Sequence, residues 1–103
     1  MASGILGQSA PSATTNTTVY TVPASKVASF TVNVANRGAT AMTVRVALAA
    51  TGTPSNSEFI EYDASIVANG VLERTGLVAG AGKNVVVYCS TANASVSVYG
   101  FEE

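Results

Sequence analysis

The chain has 103 residues, enough for one domain whose folding removes roughly 60–65% of its extended surface from water. Charged residues are 11% of it, against about 25% in an ordinary soluble domain, and the formal net charge is -1. With no His, no Trp and a single Cys, a His-based triad, a His-containing metal site, an intrachain disulfide and a Cys-x-x-Cys redox centre are all excluded.

Residues 1–16 are rich in Ser, Ala, Thr and Gly, contain one proline, Pro11, and carry neither a period of 2 nor one of 3.6. They read as an extended N-terminal arm preceding a β-domain at 17–103, either disordered or docking Ile5 and Leu6 onto a neighbouring subunit. The segment lacks the basic region and sustained apolar core of a secretory signal, so export by that route is not expected. The apolar stretches are short and interrupted, so no transmembrane helix is expected.

From Thr17 onward, short runs rich in Val, Thr and aromatic residues alternate with turn residues, the pattern of β-strands. Seven are expected, at 17–22, 26–35, 41–50, 58–63, 70–78, 83–90 and 94–101. The separators provide the turns: Pro23-Ala24-Ser25, Asn36-Arg37-Gly38, Ala68-Asn69-Gly70 and Gly80-Ala81-Gly82 contain proline or residues that tolerate positive φ. So little length leaves no room for crossover helices, and antiparallel pairing follows. The fold class is therefore all-β, a small antiparallel sandwich of jelly-roll or immunoglobulin-like type, since the two share the same local signals.

Alternation assigns faces in three strands. Phe30, Val32 and Val34 oppose Ser29, Thr31 and Asn33; Met42, Val44, Val46 and Leu48 oppose Thr43, Arg45 and Ala47; Val96 and Val98 oppose Ser95, Ser97 and Tyr99. In contrast, Val85-Val86-Val87-Tyr88 leaves neither face polar. That strand either lies mid-sheet under cover on both sides or carries an interface, with Val86 and Tyr88 as its contact residues. Cys89 alternates with Val85 and Val87 and is expected as a small core hydrophobe. The connection at 51–57 is the longest after the arm and is expected to project from one end.

The residues that carry chemistry do not converge. Glu61 and Asp63 share one strand face and Glu58 the other, a poor start for the six or more oxygens that calcium takes. Lys26, Arg37, Arg45, Arg74 and Lys83 are dispersed, so no basic stripe for nucleic acid forms, and Arg74 is expected to pair with Glu61 or Glu73. Gly80-Ala81-Gly82-Lys83 lacks the spacing and following Ser or Thr of a phosphate-binding loop and is expected as a hairpin. Neither a cofactor nor a metal is expected. Tyr99 and Phe101 stand just before the chain end, where a terminal strand edge is open to a neighbour's arm. A homo-oligomer is therefore expected, with no nucleic-acid or membrane partner.

Tyr20-Thr21-Val22-Pro23, residues 32–40, Glu61-Tyr62-Asp63, residues 68–76 and the ending Val98-Tyr99-Gly100-Phe101-Glu102-Glu103 together resemble the small structural proteins of tailed bacteriophages, including those infecting cyanobacteria. The resemblance implies a non-enzymatic β-sandwich on the virion, assembled in the host cytoplasm, with the major capsid protein or other virion proteins as partners. Its implied role is a capsid decoration protein that bridges neighbouring shell subunits. The alternatives it leaves are a neck, collar or tail subunit and a carbohydrate-binding receptor module, for which Tyr20, Tyr62, Tyr88 and Tyr99 are the available aromatics. It transfers no active-site residue.

Overall fold

The computed structural model describes residues 2–103 as eight strands and one short 3-10 turn. The strands are β1 (Ser3–Ser9), β2 (Thr17–Thr21), β3 (Ala28–Asn36), β4 (Met42–Ala49), β5 (Phe59–Ile66), β6 (Val71–Ala79), β7 (Asn84–Cys89) and β8 (Ala94–Glu102). They form two four-stranded antiparallel sheets, the first in the order β1-β8-β3-β6 and the second in the order β2-β7-β4-β5. The domain is an all-β sandwich.

Pairing is nested: β1 with β8, β2 with β7, β3 with β6 and β4 with β5, while β3–β8 and β4–β7 complete the sheets. Among consecutive strands only β4 and β5 pair as a hairpin; every other connection passes from one sheet to the other. Gly80-Ala81-Gly82-Lys83, expected as a hairpin, is therefore a crossing between the sheets. Its geometry is fixed by Val22, whose N–H donates to the Lys83 carbonyl at 2.9 Å and whose carbonyl accepts from Gly82 N–H at 2.9 Å. The turn at Ala68-Asn69-Gly70 forms as the sequence reads, with Asn69 at φ 57° and Gly70 N–H donating to the Val67 carbonyl at 2.9 Å.

The alternating valines build the core. Phe30, Val32, Val34, Met42, Val44, Val46, Val85, Val87, Cys89, Val96 and Val98 all lie between the sheets, buried. A fully buried valine side chain contributes about 1.5–3 kcal/mol, so this ladder is the main stabilising feature of the domain. Tyr20 packs edge-on against Phe30 with ring centroids 6.2 Å apart, and its hydroxyl donates to the buried Glu102 carboxylate, tying β2 to β8 across the layers. Asn36 closes one end: its side-chain amide faces the carbonyls of Thr40, Val67 and Ile66 at 2.9, 3.1 and 3.2 Å, and its oxygen accepts from Gly38 N–H at 2.9 Å.

Two further expectations need correction. Eight strands form where seven were expected, because Ser3–Ser9 of the arm segment pairs antiparallel with β8 of the same chain. The edge expected to receive a neighbour's arm is thus filled from within. Backbone hydrogen bonding to β8 and a close approach to β2 hold β1 in place, whereas only Leu6 among its large apolar side chains packs on the core. A Cβ on Gly7 would lie 2.3 Å from the Val19 carbonyl oxygen. Periodicity could not reveal such a strand.

The second correction concerns β5. Its register with β4 shifts twice, and Asp63 sits at φ 53° within the strand. The pleat phase changes there, so β5 continues to Ile66 and Glu61 and Asp63 do not share a face. Glu61 reaches Arg74 of the other sheet at 2.6 Å, while Asp63 meets Arg45 at 2.7 Å on the outside of its own sheet.

Candidate interaction surface

The outer face of the first sheet follows from register and pleat. Ala28, Phe30, Val32 and Val34 of β3 point inward, so Ser29, Thr31, Asn33 and Ala35 point outward. Partners directly opposite in an antiparallel pair lie on the same side. One row therefore runs Ser3, Phe101, Ser29, Val78 across all four strands, and the next carries Ile5, Tyr99 and Thr31. Beyond them Val27 pairs with Glu103 through two backbone hydrogen bonds of 3.0 and 2.8 Å. Toward the other end come Gln8, Ser97, Asn33 and Glu73 in a polar row, followed by Ser95, Ala35 and Val71.

This face holds an apolar band at one end. Ile5 is 57% exposed, Val78 62%, Val27 49% and Phe101 41%. The Tyr99 hydroxyl donates to the Glu73 carboxylate at 2.6 Å, so the tyrosine side chain reaches from β8 across β3 to β6. The carboxylate favours the protonated phenol and pushes Tyr99 above its ordinary pKa. At about 100 Å² for each of these four side chains, the exposed apolar area is near 400 Å², within the ~300–600 Å² of the largest patch on a typical monomer.

The outer face of the second sheet is different. Val86, expected as a contact residue, is buried in a small cluster with Ala47 and Ala49 on which Phe59 packs. β7 lies between β2 and β4 and is covered on both sides there, the first of the two alternatives its sequence allows. Beside this cluster the Arg45 guanidinium sits 4.2 Å from the Tyr62 ring centroid and 4.5 Å from that of Tyr88. Phe59 meets Tyr62 edge-on at 5.0 Å. Arg45 also donates to Asp63, and that hydrogen bond raises its pKa. The result is a continuous stack of side chains satisfied by one another.

The six residues singled out from sequence are thus separated. Ile5, Tyr99 and Phe101, from opposite ends of the chain, come together on adjacent strands of one outer face. Leu6, one residue from Ile5, turns inward onto the core, and Tyr88, half-buried, lies with Val86 on the opposite face. Val27 and Val78 complete the band without having been anticipated. In β6 the register with β3 shifts between Phe30 and Val32, and Gly76 at φ 71° absorbs the extra residue. Strict alternation from Leu72 would point Val78 inward; a glycine inside a strand run is the signal of a bulge that reverses this.

Ionisable groups elsewhere serve the fold. Arg74 donates to Glu61 at 2.6 Å and to the Ile60 carbonyl at 3.0 Å, joining the open edges of the two sheets. Glu58 accepts from Ser55 N–H at 2.8 Å and Ala50 N–H at 2.9 Å, which holds its carboxyl below the usual range and closes the β4–β5 loop. Cys89 is buried, and desolvation pushes its thiol up to about 11. Among the described residues, no group of three or more Asp, Glu, Cys or His side chains is placed to hold a metal, and no pocket opens. No family model matches the chain, and neither a curated protein nor a solved structure matches it.

Proposed function

We propose that this chain is a non-enzymatic jelly-roll subunit of a phage-like particle, acting as a capsid decoration protein that bridges neighbouring shell subunits. The observation that carries the reading is the apolar band on the outer face of the first sheet, where Ile5 and Phe101 stand beside Tyr99 on a domain otherwise poor in charge. Such a face serves packing against protein. The nested pairing of β1–β8 through β4–β5 fits a jelly roll better than an immunoglobulin-like sandwich, and jelly rolls recur in viral capsid and lectin domains. Many copies with modest individual contacts give a large total stabilisation of a shell. The major capsid protein or another virion protein is the partner, and assembly takes place in the host cytoplasm.

A carbohydrate-binding role draws less support, because Arg45 lies against both Tyr62 and Tyr88, the two tyrosines that share an outer face. Electron microscopy of intact particles tests the proposal. Density for this domain repeated over the shell lattice at hundreds of copies is the expected result. A ring at the neck or density confined to the tail would replace decoration by a collar or tail role, and absence from the particle would overturn the virion reading.

A further inference from the structure

We infer that residues 3–11, β1 with the proline that follows it, form an exchangeable segment through which two copies of this chain build a strand-swapped, two-fold dimer. Burial is the first argument. Alone among the eight strands β1 has no buried residue, and Leu6 is its one apolar side chain packed on the core. Its attachment is backbone pairing to β8, which a second copy's β1 reproduces bond for bond. Releasing it brings no fully buried side chain of its own into water.

The hinge is the second argument. The buried Pro11 is followed by residues 12–16, in which Thr14 holds φ 53°. A β-branched residue takes that left-handed conformation at a cost, and a short strained hinge favours exchange because the strain is released when the chain extends. Among the described residues one backbone hydrogen bond ties this turn to the domain, from Thr14 N–H to the Cys89 carbonyl at 2.8 Å; the Thr14 hydroxyl reaches only the adjacent Ala13 carbonyl. Extended, five residues span about 17 Å, against about 10 Å between packed sheets, so the opened hinge carries β1 clear of its own domain.

The receiving edge selects the occupant. β8 takes this strand in a register broken by a bulge between Ile5 and Gly7, with Gly4 at φ 93° opposite Gly100. Gly7 lies so close to β2 that a Cβ there would stand 2.3 Å from the Val19 carbonyl oxygen. A strand from another protein fits only with glycine at the same two positions, whereas a second copy carries both. The closed chain fills its own edge; exchange fills it with the same residues from a neighbour, and two-fold symmetry leaves neither arm unpaired.

The test is sedimentation equilibrium of the full chain from about 1 to 200 µM, with disulfide trapping across the β1–β8 pair Gln8 and Ser97, whose side chains meet at 3.3 Å. Gln8→Cys and Ser97→Cys, carried on separate chains, are refolded together and oxidised. A wild-type dimer is expected, and a disulfide joining positions 8 and 97 of different chains, identified by mass spectrometry. Thr14→Pro cannot adopt φ 53° and lacks the N–H that reaches Cys89, so it strengthens the dimer by about tenfold or more. Thr14→Gly adopts that φ freely and weakens the dimer by about 100-fold, tenfold for each of the two hinges. A chain that stays monomeric through that range would overturn the inference, as would a dimer without the 8–97 linkage or hinge variants that shift the dimer in the same direction. Circular dichroism checks that each variant folds; the linkage and Thr14→Gly decide the matter even where Thr14→Pro does not.

Discussion

Replacing Asn36 by Asp removes a hydrogen-bond donor at the end of the sandwich while keeping shape and volume. Asn36 is 3% exposed, and its amide hydrogens are shared among the carbonyls of Thr40, Ile66 and Val67, each within 3.2 Å. Asn36→Asp keeps the acceptor for Gly38 N–H but aims a second oxygen at three carbonyl oxygens. Losing two hydrogen bonds costs about 1 kcal/mol each, and a buried carboxylate facing unpaired acceptors adds about 1–3 kcal/mol more. A total near 4 kcal/mol, at about 4–8 °C per kcal/mol for a domain of this size, lowers Tm by roughly 20 °C at pH 7.

The same substitution makes stability depend on pH in a determined direction. Burial and the facing carbonyls favour the neutral carboxyl, so its folded pKa rises above the ordinary value of about 3.9. Between the unfolded and folded pKa the folded state binds the extra proton, and stability falls as pH rises. The protonated form also regains one donor. Parent and variant are compared at each pH, because Glu58, held below the usual carboxylate range by two N–H groups, makes the parent itself lose stability in acid. Differential scanning calorimetry at pH 7 and pH 3.5 is expected to show a smaller deficit in acid. A deficit under 5 °C at pH 7, or one equal at both pH values, would refute the account of Asn36 as an obligatory donor.

Gly7→Ala forces β1 away from the Val19 carbonyl, which the new Cβ would approach to 2.3 Å, and is expected to cost about 2 kcal/mol. Hydrogen exchange then loses protection at Ser3–Ser9 while β3 and β4 stay protected; uniform loss throughout the chain would show that β1 is not a separable edge. Gly100→Ala is expected to be worse, about 3 kcal/mol or more, since its Cβ would lie 2.0 Å from the Ser29 carbonyl oxygen, whereas Gly80→Ala has open space and shifts the urea midpoint little. Equal midpoints for the two alanine variants would contradict the close approach of β8 to β3. Cys89, buried with its thiol pushed up to about 11, is expected to react with a disulfide reagent at pH 8 only as fast as the domain opens. Labelling that is rapid in buffer and unaffected by low urea would mean the thiol is accessible in the native state.

Seven of the eight strands were legible because β-branched residues alternating with Ser, Thr and Asn read directly as half-buried strands, with ends within a few residues of those observed. Core residues Phe30, Val32 and Val34 follow from the same period. β1 was not legible: Ser3–Ser9 has two glycines and no alternation, and it is a strand because β8 offers it an unpaired edge. Of the residues expected at a subunit contact, Ile5, Tyr99 and Phe101 could be picked out by their apolar character near the ends of the chain. Their adjacency could not, since the spacing between residues 5 and 99 says nothing about pairing. Val86 shows the converse failure. An apolar residue on a strand's second face reads as an interface, and only the position of Phe59, set by the register shifts of β5, shows that the chain covers it itself.

The sequence by itself determined that this is a small β-domain of low charge, where seven of its eight strands fall, and which alternating valines of β3, β4 and β8 face the core. Those properties rest on side-chain periodicity and turn chemistry, which act within a few residues. Tertiary structure alone decided that nearly every connection crosses between sheets, that Ile5 and Tyr99 are neighbours, and that bulges at Asp63 and Gly76 separate Glu61 from Asp63 and turn Val78 outward. Strand partners are chosen by backbone hydrogen bonding and burial summed over the whole domain, and a one-residue shift reverses every side chain after it.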